Sequence, residues 1–407
     1  MRVLLLDDSL TGWAGYNAGY DFAIQDALAQ RGIQAIIFAN VLAKDLSVVR
    51  PDGLHLTFHH YADLTRYQYE LPQLPRRVRG MFYLLIGNWH HLKDLCRGVS
   101  PEVSSGDIVI ATMHLPVTTF ANSIWLLMQR LKSKRLTFLS VAHNVPSKFF
   151  GAEWCALRLL AHDHKIVLGA HTPEIAQLVH DRAGQPVYLL PLPFADRGSG
   201  PVSENGPTEP SDTSTRPLHV TYLGMATYHK GYDLVVEALE ALQDLIVAGQ
   251  VVFVVQFNSF LYDQQNLAWK RRLEAHPAAS SGLTLVEGAL DNEAYADQIL
   301  KADVVLVPNR AEHYIGALSG VFTEAVAIGK PVIVADGTNM AAELQKGVGA
   351  GVIFRNGDPK DLAHAIRKAV ADYSVLRAQA SAQADAWHER HSVTRYVDVL
   401  LSAAQGR

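Results

Sequence analysis

Short aliphatic and β-branched runs recur along the chain, each followed by a turn and then by a stretch with helical apolar spacing. Val3–Leu6, Ala35–Phe38, Ile108–Thr112, Leu136–Val141, Lys165–Leu168 and Val187–Leu190 read as strands, with Gly19–Gln30 as the helix after the first. The pattern then stops. Asp196–Arg216 reads DRGSGPVSENGPTEPSDTSTR, nearly devoid of apolar residues and rich in Gly, Pro, Ser and Thr, which is linker chemistry. It resumes with strands at Leu218–Leu223, Val251–Gln256, Leu283–Val286, Val304–Val307, Val332–Val334 and Gly351–Phe354. Helices fit at Tyr232–Gln243, Asn292–Lys301, Gly320–Ile328, Ala341–Gly347 and Pro359–Val370.

Strands alternating with helices predict parallel sheets covered on both faces, the α/β class. The linker, taken as residues 194–217, separates a domain over 1–193 from one over 218–380, with a terminal helical segment over 381–407. Two doubly wound domains facing each other across a cleft are expected, with ligands at the carboxyl ends of the strands.

Composition narrows the classes. At 407 residues and 49% hydrophobic, the chain has material for two cores and is not disordered. A net charge of −4 argues against a nucleic-acid binder. The two cysteines, Cys96 and Cys155, supply neither a disulfide framework nor a cysteine zinc site, so a cytoplasmic, reducing compartment is expected. Met1–Asp8 lacks the pattern of a secretory signal, and no apolar run approaches the roughly 20 residues of a spanning helix. Residues 1–193 carry 18 basic against 15 acidic side chains, whereas residues 194–407 carry 18 against 25. The halves therefore differ in task.

The most specific chemistry lies in Pro308-Asn309-Arg310-Ala311-Glu312, then Ser319-Gly320-Val321-Phe322-Thr323-Glu324-Ala325, then Gly329-Lys330-Pro331-Val332-Ile333. A strand ends near Val307, a loop follows, and Ser319 stands at a helix N-cap with Gly320 and Val321 in the first turn. Amides at such a start offer a site for a diphosphate. Glu324, one turn in, is placed to accept bonds from two ribose hydroxyls. By themselves the same residues also fit a capping-type glutamate and a structural Gly-Lys-Pro turn.

These segments resemble the C-terminal half of GT-B nucleotide-sugar glycosyltransferases, particularly the retaining family 4 (group 1 type). That family has a Pro-Ser-x-x-Glu loop, a helix beginning just before a Glu-Ala pair, and Gly-x-Pro-Val-Ile. The resemblance implies two Rossmann-like domains, a ribose contact for Glu324 and a place near the transferred sugar for Glu312. Eleven residues separate Glu312 from Glu324 where the family has seven, so the loop is longer here. Tyr222-Leu223-Gly224-Met225-Ala226-Thr227-Tyr228-His229-Lys230-Gly231 resembles the family's Gly-Arg-x-x-x-x-Lys-Gly turn. Lys230 and Gly224 would face the leaving diphosphate, but the family arginine is Met225 here. Arg310 and His229 are the candidates to replace its charge.

In the first half, Gly12-Trp13-Ala14-Gly15 follows the first strand and resembles the family's Gly-Gly loop, so Gly12 and Gly15 are expected near the donor. Ser140-Val141-Ala142-His143-Asn144 resembles a strand-terminal segment whose histidine, His143, contacts donor sugar or acceptor. His114 ends the preceding strand and is the weaker candidate. The pairs His59–His60, His90–His91 and His162/His164 lack converging carboxylates in the sequence and read as surface or packing residues, so no metal site is expected. Two basic-aromatic stretches, Arg76–Trp89 and Trp125–Arg135, fit either an anionic membrane surface or ordinary helices with basic ends.

The expected activity is sugar transfer from a UDP- or GDP-linked donor to an acceptor hydroxyl in polysaccharide or glycolipid assembly, and the family resemblance implies that it proceeds with retention and without metal or cofactor. The acceptor would be a saccharide or lipid-linked saccharide, met in the cytoplasm or at the inner membrane face. A sugar-nucleotide epimerase of the same fold and a nucleotide-sugar-binding protein that has lost catalysis are the alternatives. Isomerisation without acceptor would identify the first, binding without turnover the second.

Overall fold

The computed structural model describes residues 1–12, 17–59, 76–111, 116–142, 150–194, 216–259, 264–279 and 282–405. The chain divides into two compact units. One holds the described residues up to Pro193 together with Val393 onward, and the other is Phe194–Ser392. The polar stretch 195–215 lies outside the described residues.

In the first unit seven strands form a parallel sheet: β1 (Val3–Asp7), β2 (Ala35–Asn40), β3 (Leu54–Phe58), β4 (Ile108–Ala111), β5 (Thr137–Ala142), β6 (Lys165–Ala170) and β7 (Val187–Leu189). Their order is β3-β2-β1-β4-β5-β6-β7. In the second, β8 (Leu218–Tyr222), β9 (Val251–Phe257), β10 (Leu283–Glu287), β11 (Val304–Val307), β12 (Val332–Ala335) and β13 (Gly351–Phe354) lie in the order β10-β9-β8-β11-β12-β13. Each chain path runs outward from the centre, returns, and continues on the other side. The switch falls between β1 and β4 in one sheet and between β8 and β11 in the other. There the loops leave opposite ways and open a crevice at the carboxyl edge.

The apolar runs are continuous because both faces of each sheet are covered. β1, β2, β4, β11 and β12 are buried at every position. In the second unit one core, including Tyr222, Tyr232, Phe253 and Leu362, lies on one sheet face. A second core gathers Val305, Phe322, Val334 and Trp387 on the other. Boundaries follow local chemistry: Thr172 caps Pro173–Ala183 through the Ile175 amide, and Gly184 closes that helix in the left-handed region.

Several elements differ from the sequence reading: the helix expected at Tyr232–Gln243 ends at Glu240, and a separate short helix follows at Gln243–Val247. β3 is an edge strand whose His55 and Leu56 are only half-buried, so it lacks the solid apolar run that marks the others. The terminal helical segment expected over 381–407 is not one helix: the chain makes two, Tyr373–Arg390 and Val393–Gln405, parting at His391–Ser392. The earlier helix keeps Trp387 in the second unit's core. The later one belongs to the first unit, where the Tyr20 hydroxyl donates to that of Tyr396 at 3.0 Å and Lys165 donates to the Ala404 carbonyl.

Candidate functional site

The loop after β8 is built around two glycines. Gly224 has φ +127° and donates its amide to Gln256 Oε1 at 2.8 Å, while Gln256 Nε2 donates to the Gly288 carbonyl. One glutamine at the end of β9 thus ties the loops after β8 and β10. Tyr228–Lys230 then forms a single tight turn, closed by Gly231 at φ +68°. A side chain on Gly231 would strike the Pro308 carbonyl, so the β8 and β11 loops touch backbone to backbone.

Lys230 folds back over the glycine turn: a Cβ on Gly224 would stand 3.5 Å from its Nζ. Burial alone pushes its ammonium down to about 8. Among the described residues it has neither an ion pair nor a hydrogen-bond acceptor. Met225, in the family arginine's position, is committed to the sheet edge by a bridge to Asn258.

Arg310 is placed differently from Lys230. Its Nη2 meets Asp233 Oδ2, its Nε donates to the Tyr228 carbonyl at 3.1 Å, and its guanidinium lies 3.8 Å over the Tyr228 ring. Its charge is therefore compensated within the protein and is not offered in place of the absent arginine. His229 is half-buried in the loop, its ring 5.7 Å from that of His313.

After Asn309 and Arg310 comes one short helical turn, Ala311–Tyr314, carrying Glu312 exposed on its surface. Asn356, from the loop after β13, binds it twice: Nδ2 donates to Glu312 Oε2 at 3.1 Å, and Oδ1 accepts from the Ala311 amide. The Glu312 backbone amide and Asn356 hold the carboxyl below its ordinary range. Ser319 is extended, at the N-cap of Gly320–Ala327, and its hydroxyl caps no amide of the first turn. The amides of Gly320 and Val321 begin that helix without intrahelical acceptors. Glu324 follows one turn on, half-buried. The Trp387 indole donates to the Thr323 carbonyl at 3.0 Å and packs its ring edge to face with Phe322, fixing this helix from behind. Lys330 lies apart, donating to the Leu300 carbonyl, so the Gly-Lys-Pro turn is structural.

The structure thus gathers Gly224, Lys230 and Arg310 on touching loops at the switch point, with Ser319, Gly320, Val321 and Glu324 on the helix that follows β11. Asp233, Gln256 and Asn356 were not singled out from sequence. Their partners lie 77, 32 and 44 residues away, beyond any local pattern.

In the first unit Gly12 lies in the loop after β1 with open space at its α-carbon. Gly15, His114 and His143 fall outside the described residues. The same edge buries Asp7, Asp8 and Asp21. Burial raises all three carboxyls, Asp8 to about 8. Asp8 Oδ2 lies 3.6 Å from His91 Nδ1, while His91 Nε2 meets Asn122 Oδ1 at 3.3 Å and its ring stacks on Phe58. Burial pushes His91 down to about 4, so desolvation opposes charge on both the acid and the imidazole. Carboxylates do converge on the histidine pairs, contrary to the sequence reading: His91 faces Asp8, His59 faces Asp94 at 3.1 Å and His162 faces Asp163 at 3.4 Å. Among the described residues no three potential ligands gather as a metal would require.

The two basic-aromatic stretches are helices, Arg76–Asp94 and Pro116–Leu131. Leu85 and Trp89 are 66% and 67% exposed, as a surface contact requires. Trp125 is fully buried, its indole donating to Ser100 Oγ, so it belongs to the core rather than to any membrane face. Among the described side chains of the second helix, Phe120, Ile124 and Leu131 are the exposed large apolar ones. No described helix is long and apolar enough to cross a membrane.

Comparison with known proteins agrees with this architecture. No curated protein sequence matches the chain. Among solved structures, Anabaena HepE in complex with UDP superposes with TM-score 0.62 at 15% identity, covering 100% of this chain and 99% of that one. Trehalose-6-phosphate synthase OtsA gives 0.66 at 14%, covering 100% and 99%. A glycosyltransferase from Rickettsia africae gives 0.65 at 12%, covering 100% and 98%. These likenesses establish the GT-B fold, two Rossmann-like α/β domains. Residues 209–387 match the family of glycosyl transferases group 1, spanning every residue of the β8 and β11 loops described above. The second unit is therefore a group 1 glycosyltransferase domain.

Proposed function

We propose that the chain transfers a glycosyl group from a nucleotide-diphosphate sugar to an acceptor hydroxyl, with retention and without a metal, in polysaccharide or glycolipid assembly. The observation that carries this reading is Lys230. A half-buried ammonium with no anionic partner among the described residues is costly unless a ligand completes it. Its position at the switch point, beside a glycine turn, suits a diphosphate.

In this reading Lys230, Gly224 and the Gly320 and Val321 amides at the Ser319 cap take up charge on the leaving diphosphate. Glu324 binds the ribose, and Glu312 lies toward the sugar. His143 and the Gly12–Gly15 loop serve the sugar and acceptor from the first unit. The departing phosphate oxygen takes the acceptor's proton, so no strong enzymic base is needed. UDP is the first donor base to test, because UDP and UDP-2-fluoro glucose occupy the structures of HepE and of the E. coli trehalose-6-phosphate protein. A lipid-linked acceptor would suit the exposed Leu85 and Trp89.

Thermal melting with UDP, GDP and ADP tests the donor site. A rise with one nucleotide, lost in Lys230→Met, is expected. No rise with any of the three would sink the reading.

A further inference from the structure

We infer that Arg310 is a positioning residue, clamping the Tyr228–Lys230 turn from the β11 loop and so fixing where the Lys230 ammonium stands. This rests on Lys230 serving the donor.

The clamp has two arms on either side of one residue. The Arg310 side chain donates through Nε to the Tyr228 carbonyl, and its backbone amide donates to the His229 carbonyl at 3.0 Å. Those carbonyls belong to the two residues just before Lys230, so both peptide groups leading into it are held from the neighbouring loop. The guanidinium covers one face of the Tyr228 ring at 3.8 Å, a further contact between the two loops. Gly231 completes the fixation: its amide donates to the Tyr228 carbonyl at 2.9 Å, and its α-carbon abuts Pro308.

Asp233 sets the clamp's orientation. It opens the helix Tyr232–Glu240, which begins where the turn ends, and binds Arg310 Nη2 through Oδ2. The pair is 8% and 14% exposed. Its second oxygen, Oδ1, has no hydrogen-bond partner among the described residues, so Asp233 depends on this one arginine. A buried pair of this kind is worth little net energy but fixes geometry, and breaking it strands a charge. Arg310 thus has the wrong electrostatics for a second phosphate ligand and the right contacts for holding the first.

The test measures UDP dissociation constants by titration calorimetry for the wild type, Arg310→Met, Arg310→Lys, Asp233→Asn and the Arg310→Met/Asp233→Asn double variant. Hydrogen exchange across residues 226–232 is followed without nucleotide. Arg310→Met and Asp233→Asn are each expected to weaken UDP binding about tenfold. The double variant should be no worse than either, because both act through one pair. Arg310→Lys should restore part of the loss, and exchange in the turn should quicken in both single variants. If Asp233→Asn instead tightened UDP binding, the freed guanidinium would be reaching the nucleotide and the inference would fall. Unchanged exchange and affinity in both single variants would also overturn it. Faster exchange in a chain that binds no UDP, GDP or ADP would leave the clamp without a donor to serve, overturning the donor reading and the positioning role together.

Discussion

Gly231 lies against the carbonyl oxygen of Pro308 with no space for a side chain between them. The two loops that flank the switch point of the second sheet are therefore in backbone contact, and that contact sets the floor on which Lys230 rests.

Gly231→Ala should be among the more damaging single-methyl additions in this unit. The new Cβ meets backbone, which cannot yield as a flexible side chain would, at a φ of +68° that alanine adopts reluctantly. A loss of about 2–4 kcal/mol is expected. Denaturant unfolding measures it, and a loss below about 0.5 kcal/mol would contradict the backbone contact.

Lys230→Met is expected to lower kcat/KM for the donor by about a hundredfold, the usual effect of removing one charge contact from a leaving group. The ammonium of the free protein titrates near 8, so it is charged below that pH and neutral above it. UDP affinity should accordingly fall by up to about tenfold per pH unit above about 8. Lys230→Arg, which keeps its charge, should lose that pH dependence; calorimetry from neutral to alkaline pH reads both.

The buried acids of the first unit predict a stability that declines from pH 6.5 to 8. Asp8 has a folded value raised to about 8 from 3.8, so the folded state holds a proton that the unfolded chain has released throughout this window. Its stabilising effect is complete below 3.8 and lost as pH rises to about 8. His91 and His171, lowered to about 4, act with the opposite sign only below 6.5, where unfolded imidazoles take up protons. Above 6.5 the acid therefore acts unopposed by them. A decline of about 2 kcal/mol across the window is expected for one such carboxyl. Asp8→Asn should flatten the profile, and an unaltered slope in that variant would exclude Asp8 as its source.

Vesicle co-sedimentation tests the exposed face of Arg76–Asp94. Leu85→Glu/Trp89→Glu should abolish binding to vesicles containing anionic lipid while leaving the melting temperature within about 2 °C, since neither side chain is buried. Equal binding by the wild type and this variant would remove the helix from consideration.

Much of the second unit is legible in its sequence because function and fold share the same short segments. A strand, a glycine turn and a lysine are contiguous from Tyr222 to Gly231, so the segment that brings Lys230 back over Gly224 can be recognised locally, although contacts from the β11 loop hold it there. Glu312 and Arg310 show where that stops. Both sit in a recognisable loop, but what each does is decided by Asn356 and Asp233, which approach from the loop after β13 and from the helix Tyr232–Glu240. Trp125 shows a different limit. Its run of apolar and basic neighbours is the same for a helix against a membrane and one against a core, and only the contact with Ser100 decides. β3 was unread because a half-buried edge strand needs no continuous apolar run.

The helix Val393–Gln405 completes a domain whose other elements end at Pro193, about two hundred residues earlier. During synthesis the face of Asn17–Gln30 that carries Tyr20 must wait, uncovered, while the whole second unit is made. A chain that lacks the residues from Val393 onward should therefore hold a first unit missing its last helix, an unfinished domain that chaperones still recognise.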